Sequence, residues 1–155
     1  PAGQSATEPG AKLRVGTYDS RAIAIAYANS EFNPVSEKKK QYEAAKAAGD
    51  KKRIEELEEW GPRHQRQLHR QGFGRVPVTD LLEHVKDRLP EVADKAGVDV
   101  IAFECNYLGP GVEEVDITLE LVMLFNPSEK ALEWIEDGKD VEPLDLDEIE
   151  QHHEH

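Results

Sequence analysis

Residues 63–85 read RHQRQLHRQGFGRVPVTDLLEHV, and how this stretch is read decides the fold. It changes character halfway. Before Gly72 the residues are polar and basic. After Arg75 apolar residues return at helical spacing, with Val78, Leu81, Leu82 and Val85 on one face. Between the halves stands Gly72-Phe73-Gly74, an aromatic ring between two glycines. Glycine reaches backbone angles that are strained for other residues, so a Gly-containing junction between two helical patterns reads as the reversal of a helical hairpin.

Both halves extend outward from this point. Upstream, SEKKKQYEAAKAAGDKKRIEELEEW (36–60) is rich in Ala, Glu, Lys and Leu, which form helices readily. Ser36 is its expected cap, Gly49-Asp50 an expected break, and Pro62 an expected kink. Ile54, Leu57, Gly61, His64 and Leu68 recur at three- and four-residue spacing, a thin seam suited to one partner. Downstream, Pro77 or Thr79 opens a second helix. Its apolar face runs from Val78 to Ala96, roughly 28 Å at the usual rise. Pro90 interrupts it and Gly97 ends it. A helical arm is therefore expected over about 36–97, with Gly-Phe-Gly at its far end. Its seam is too thin for half of a large core, so the arm is expected to protrude into solvent or toward another subunit.

Either side of the arm lie strand patterns. LRVGTY (13–18) alternates, VDVIAFEC (98–105) is a nearly continuous apolar run, and VEEVDIT (112–118) alternates again. RAIAIAYANS (21–30) is apolar on nearly every side and reads as a buried helix, capped by Asp19 or Ser20 and ended by Asn33-Pro34. Thr118 opens a short helix over LELVMLF. Asn126-Pro127-Ser128-Glu129 reads as a cap, a first-turn proline and a capping glutamate before KALEWI. The fold class is thus α+β: a small sheet of about three strands per chain with a protruding antiparallel helical hairpin. Residues 1–12 read as a flexible leader, 13–137 as a single domain, and 138–155 as an acidic, disordered tail.

Composition narrows the function. The chain has 155 residues, 38% hydrophobic and 33% charged, with a net charge of −13. That charge is polarised. Residues 136–155 hold nine acids against one lysine, whereas no acid occurs from Trp60 to Thr79. Net acidity argues against a nucleic-acid binder. No run approaches the roughly 18 apolar residues of a membrane span. The chain opens at Pro1, which is read as the removal of a preceding segment. The lone Cys105 sits in an apolar run and reads as a small core residue. No local motif sets a nucleophile beside a base, and GFGR lacks the Lys-Ser/Thr of a phosphate loop, so catalysis and a bound cofactor are not expected. His152, His153 and His155 are the weak metal candidates, at a chain end without supporting groups. His64 and His69 are five apart, off the spacing that sets two ligands on one helix face.

Three stretches carry a resemblance: LRVGTYDSRAIAIAY, RHQRQLHRQGFGRVPVTDLLEHVKDRLPEVADKAGVDVIAF and EEVDITLELVMLFNP. In that order the chain resembles the Skp/OmpH-like periplasmic chaperones, and more closely the short-armed members of that family. The resemblance covers most of residues 13–127 and rests on composition, since the family has no active-site signature. It implies a homotrimer in which strands of three subunits form a β body. It further implies coiled-coil-like arms that enclose unfolded outer-membrane proteins without ATP, in the periplasm or cell envelope. The short returning helix and the acidic tail after Asp137 depart from the pattern.

On this resemblance Arg63, Arg66, Arg70 and Arg75 are expected to face clients or anionic lipid heads, with Phe73 as an apolar contact. The plainer possibility is a solvated turn whose arginines pair with Glu55, Glu58 and Glu59. The rival function is an oligomeric scaffold of the envelope that docks one fixed partner and holds no clients.

Overall fold

The structure, a computed structural model, describes residues 12–152. Its sheet joins the strands that lie far apart in sequence. β1 (Leu13–Thr17) is central, with β2 (Val100–Ile101) on one side and β3 (Val112–Asp116) on the other. Both neighbours run parallel to β1. Gly16 stands beside Ile101 and Val115, and these three share the face turned to the helices. A Cβ on Gly16 would lie 2.7 Å from Ile117 Cδ1, so glycine is what lets the fully buried Ile117 close over the central strand. The opposite face carries Leu13, Val15, Val100 and Val112; Leu13 and Val100 are exposed.

α1 (Ser20–Ala28) follows β1 directly. Asp19 caps it, its side chain accepting from the Arg21 N–H at 2.9 Å. As expected from its sequence, α1 is buried: Ile23 and Ala26 are fully enclosed. α2 (Val35–Ala48) and α3 (Lys51–Phe73) come next. The chain reverses between them at Gly49, whose φ of 68° is left-handed, and Asp50 restarts the helix by accepting from the Arg53 N–H at 3.1 Å. Asn33 bonds His64, Lys38 lies over Trp60 and Tyr42 bonds Glu58, so partners recede along α3 as the chain advances through α2, and the two helices run antiparallel.

This corrects the arm expected over 36–97. The reversal lies at Gly49-Asp50, not at Gly-Phe-Gly. Residues 78–96 do not form a second arm; they enter the core as α4 (Thr79–Leu82), a 3-10 stretch (Glu83–Arg88) and α5 (Leu89–Ala96). Val78, Leu81, Leu82, Val85 and Val92 are all buried against α1 and its neighbours. The break has a local cause. Pro90 has no N–H to offer the Lys86 carbonyl, which instead accepts from Leu89 in a tighter turn.

α5 ends at Gly97, with φ 66°. There Arg14 Nη1 donates to the Ala96 and Gly97 carbonyls at 3.2 and 2.9 Å, tying the helix end to β1. A Cβ on Gly97 would lie 2.7 Å from that nitrogen. Gly97→Ala is therefore expected to lower the unfolding free energy by about 1–2 kcal/mol, readable by urea titration. An unchanged midpoint would contradict the described end of α5.

The C-terminal part is more ordered than its acidity suggests. α6 (Thr118–Met123) leads to Asn126 in the left-handed region, φ 51°. Ser128, rather than Asn126, then caps α7 (Glu129–Gly138), accepting from the Ala131 N–H at 3.1 Å. Residues 139–152, expected as disordered tail, instead fold back. Arg21 Nη1 donates to the Val141 carbonyl, and the Leu144 N–H donates to the Phe73 carbonyl at 2.9 Å. α8 (Leu146–Gln151) follows, with an Asp145/Glu148 capping box and Ile149 buried. Charge disfavours burial only of the charged groups; the apolar Leu146 and Ile149 still find the end of α3. The expected leader lies outside the described residues, except for Lys12.

Candidate functional site

An apolar groove of about 750 Å³ opens between α1, α2 and α3. Its composition follows from helical spacing. α1 contributes Ala24, Ile25 and Ala28, small or aliphatic residues one turn apart. α2 contributes Val35 and Tyr42, with Lys38 and Lys39 at its rim. α3 forms the floor with Leu57, Gly61, His64 and Leu68 of the thin seam seen in the sequence, together with Trp60, and runs on to Phe73; Ile54 of that seam does not line the groove. The seam is split: Leu57 is buried, while Trp60, His64 and Leu68 keep one side open.

Two polar groups of the groove, Tyr42 and His64, are held by hydrogen bonds. The Tyr42 hydroxyl donates to Glu58 at 2.9 Å, and that bond pushes the phenol pKa up. Asn33 is the joint of the three helices. Its amide N–H donates to the Ala28 carbonyl at 2.8 Å, closing α1, while its oxygen accepts from His64 Nε2 at 3.1 Å. His64 stacks on Trp60 at 4.6 Å between centroids, and Lys38 Nζ lies 5.5 Å from the centre of the same indole. Gly61 and Gly72 open the floor further, since a Cβ at either would meet nothing within 4 Å.

Burial lowers the His64 pKa below its ordinary 6.5. The folded chain thus favours neutral imidazole, and in acid the unfolded chain binds more protons. The resulting stability is present above pH 6.5 and declines as pH falls through the folded value. Wild type is expected to lose more of its urea midpoint between about pH 7.5 and about pH 5 than His64→Gln does. Equal losses would exclude His64 as the source.

The structure separates the residues picked from sequence. Arg63 and Arg66 are exposed on α3. Arg70 lies 3.9 Å from Glu150 of α8, and Arg75 lies 2.6 Å from Glu104. Those pairings, not Glu55, Glu58 or Glu59, are the ones Arg70 and Arg75 make. Phe73 is 54% exposed, packed edge-on against His69, at the end of the groove where α3 meets the body. Gly-Phe-Gly therefore lies against α8 and the body, because a Cβ on Gly74 would touch Ile149 and Leu146. Of the metal candidates, His152 is exposed and His153 and His155 lie outside the described residues. Among the described residues no group of three acids, histidines or cysteines is placed to hold a metal ion. Cys105 is half-buried in the loop after β2, not in the core.

Sequence reasoning found the α3 seam but missed the groove, because α1 and α2 supply its walls. The one available signal was small residues at Ala24, Ala28, Gly61 and Gly72, which leave a helix surface hollow. A second, polar cleft opens at the C-terminal ends of the parallel strands, where ligands of open sheets usually bind. Its acids are already engaged: Asp19 with Arg21, Glu104 with Arg75, Glu114 with Thr17, and Asp116 with Thr118. The arrangement defines an α+β domain with an open, aromatic-lined groove in which Tyr42 and His64 are held by Glu58 and Asn33. The chain matches no family model, no curated protein and no solved structure.

Proposed function

We propose that the protein is an ATP-independent holdase of the cell envelope. In this reading it captures apolar segments of unfolded envelope proteins in the groove between α1, α2 and α3. The observation that carries the reading is the groove itself. It has mostly apolar walls open to solvent and a stacked Trp60, and two of its polar members, Tyr42 and His64, are bonded to Glu58 and Asn33. A surface of this kind gains free energy from any apolar side chain it covers, at about 25 cal/mol per Å², and so discriminates little between clients. The exposed Arg63 and Arg66, with Arg70 and Arg75 at the base of α3, would raise encounter rates with acidic chains, and Phe73 would add an apolar contact.

The resemblance to short-armed Skp/OmpH-like chaperones points the same way, and to a homotrimer. The outer sheet face supports association, because parallel sheets are ordinarily covered on both faces and here Leu13 and Val100 are exposed beside the buried Val15. Several weak grooves in one oligomer would raise the effective concentration for a client that spans them. Among the described residues no helix is long and apolar enough to cross a membrane. The test is suppression of aggregation of several unrelated unfolded proteins, without nucleotide. Suppression of all of them near one oligomer per client supports the holdase. Stoichiometric binding of one partner, with no effect on the rest, would make it a scaffold.

A further inference from the structure

We infer that the occupant of the groove is an amphipathic helix of roughly four turns with acidic residues beside its apolar stripe, an inference that rests on the binding role proposed above. The backbone argues first. An extended segment brings unpaired N–H and C=O groups to whatever wall it meets. Here the wall is mostly apolar; of its polar members His64 is bonded to Asn33 and Tyr42 to Glu58, which leaves too few side-chain partners along the floor for an extended backbone. A guest must therefore satisfy its own backbone, as a helix does.

Shape argues second. α3 packs against both α1 and α2, and the trough between those two lies above α3. Its floor runs from Leu57 to Phe73, about 24 Å of helix. Gly61 and Gly72 on the floor and Ala24 and Ala28 on one wall let a helical backbone come close, and Trp60 and Leu68 offer it apolar contact.

Charge argues third. Lys38 and Lys39 stand on the α2 rim, and Lys38 is held over Trp60. The acid at that rim, Glu58, is bonded to Tyr42. The rim thus offers positive charge to a guest, in a chain whose own net charge is −13.

The experiment uses three synthetic peptides of about sixteen residues. One has an apolar i, i+3, i+4, i+7 stripe flanked by Glu. The second replaces those Glu by Lys. The third scrambles the first to destroy the stripe. The first is expected to bind about tenfold or more tighter than the others and to gain helical circular dichroism on binding. Gly61→Leu with Gly72→Leu projects side chains into the trough from positions where a Cβ meets nothing within 4 Å, and leucine favours helix over glycine. That variant is expected to melt no lower than wild type while losing peptide affinity about tenfold or more. Equal binding of the scrambled peptide would discard the helical guest and leave the holdase standing. Binding of the Lys-flanked peptide as tightly as the Glu-flanked one would discard the acidic partner. A filled variant that still binds would move the guest elsewhere. A filled variant that sediments as a smaller species would make the occupant a second copy of this chain. Tight, helical binding of the first peptide alongside absent aggregation suppression would retain the inference and discard the holdase.

Discussion

Ile117→Ala is expected to lower the unfolding free energy by about 4 kcal/mol. Ile117 is fully buried, and its N–H donates to the Thr17 carbonyl at 2.9 Å, just past the β1–β3 ladder. Its side chain lies over Gly16 and belongs to the core with Ile23, Leu121 and Val122. Truncation removes three carbons, each worth about 0.8 kcal/mol in transfer from water, and leaves a cavity whose walls include the sheet backbone. A backbone wall does not collapse easily, which places the cost in the upper half of the usual range. For a domain whose whole stability is about 5–15 kcal/mol, this is a major loss. The same contact makes Gly16→Val costly from the other side, by about 1–3 kcal/mol through overpacking. The two sites touch, so they should not add: Gly16→Ala in the Ile117→Ala background should recover part of the loss. Urea unfolding of the single and double variants measures it. A loss below about 1 kcal/mol for Ile117→Ala, or strict additivity, would mean that the side chain does not fill the space over β1.

Trp60→Ala carries the largest expected effect on activity. Trp60 is half-buried, lies at the centre of the groove between Lys38 and His64, and is its largest apolar surface. Central aromatic residues of this kind lose about 2 kcal/mol or more of binding free energy on truncation, a fall in affinity of roughly thirtyfold. Aggregation suppression should fall accordingly. The fold should persist, since the core built on Ile23, Ile117 and Leu121 does not include Trp60. The control is charge reversal at Arg63 and Arg66, exposed on α3 and absent from the groove lining. That pair should slow client capture at low salt and change the final affinity little. Should the arginine pair abolish suppression while Trp60→Ala leaves it intact, the client surface is the basic face of α3 and not the groove.

The chain's local chemistry determined much of this protein without reference to its fold. The strand patterns at 13–18 and 112–118, the buried helix after Asp19, the break at Gly49-Asp50 and the α3 seam follow from side-chain period, capping and glycine, whereas of the buried strand expected over 98–105 only Val100–Ile101 forms. These forces act within a few residues, and the chain displays them in order.

Tertiary packing decided the rest. Gly72-Phe73-Gly74 has every local mark of an arm tip, yet Leu144, Leu146 and Ile149 meet it from more than seventy residues away and fix it to the body. Residues 78–96 have the period of an arm helix. Their apolar face is far broader than the α3 seam, however, and a face that broad is stable only when buried, so it went to the core. The groove needed three helices whose order in space no period encodes. The acidic tail shows the same physics from the other side. Its net charge predicted disorder, but the buried Ile149, the half-buried Leu146 and a capping box outweighed repulsion that water largely screens.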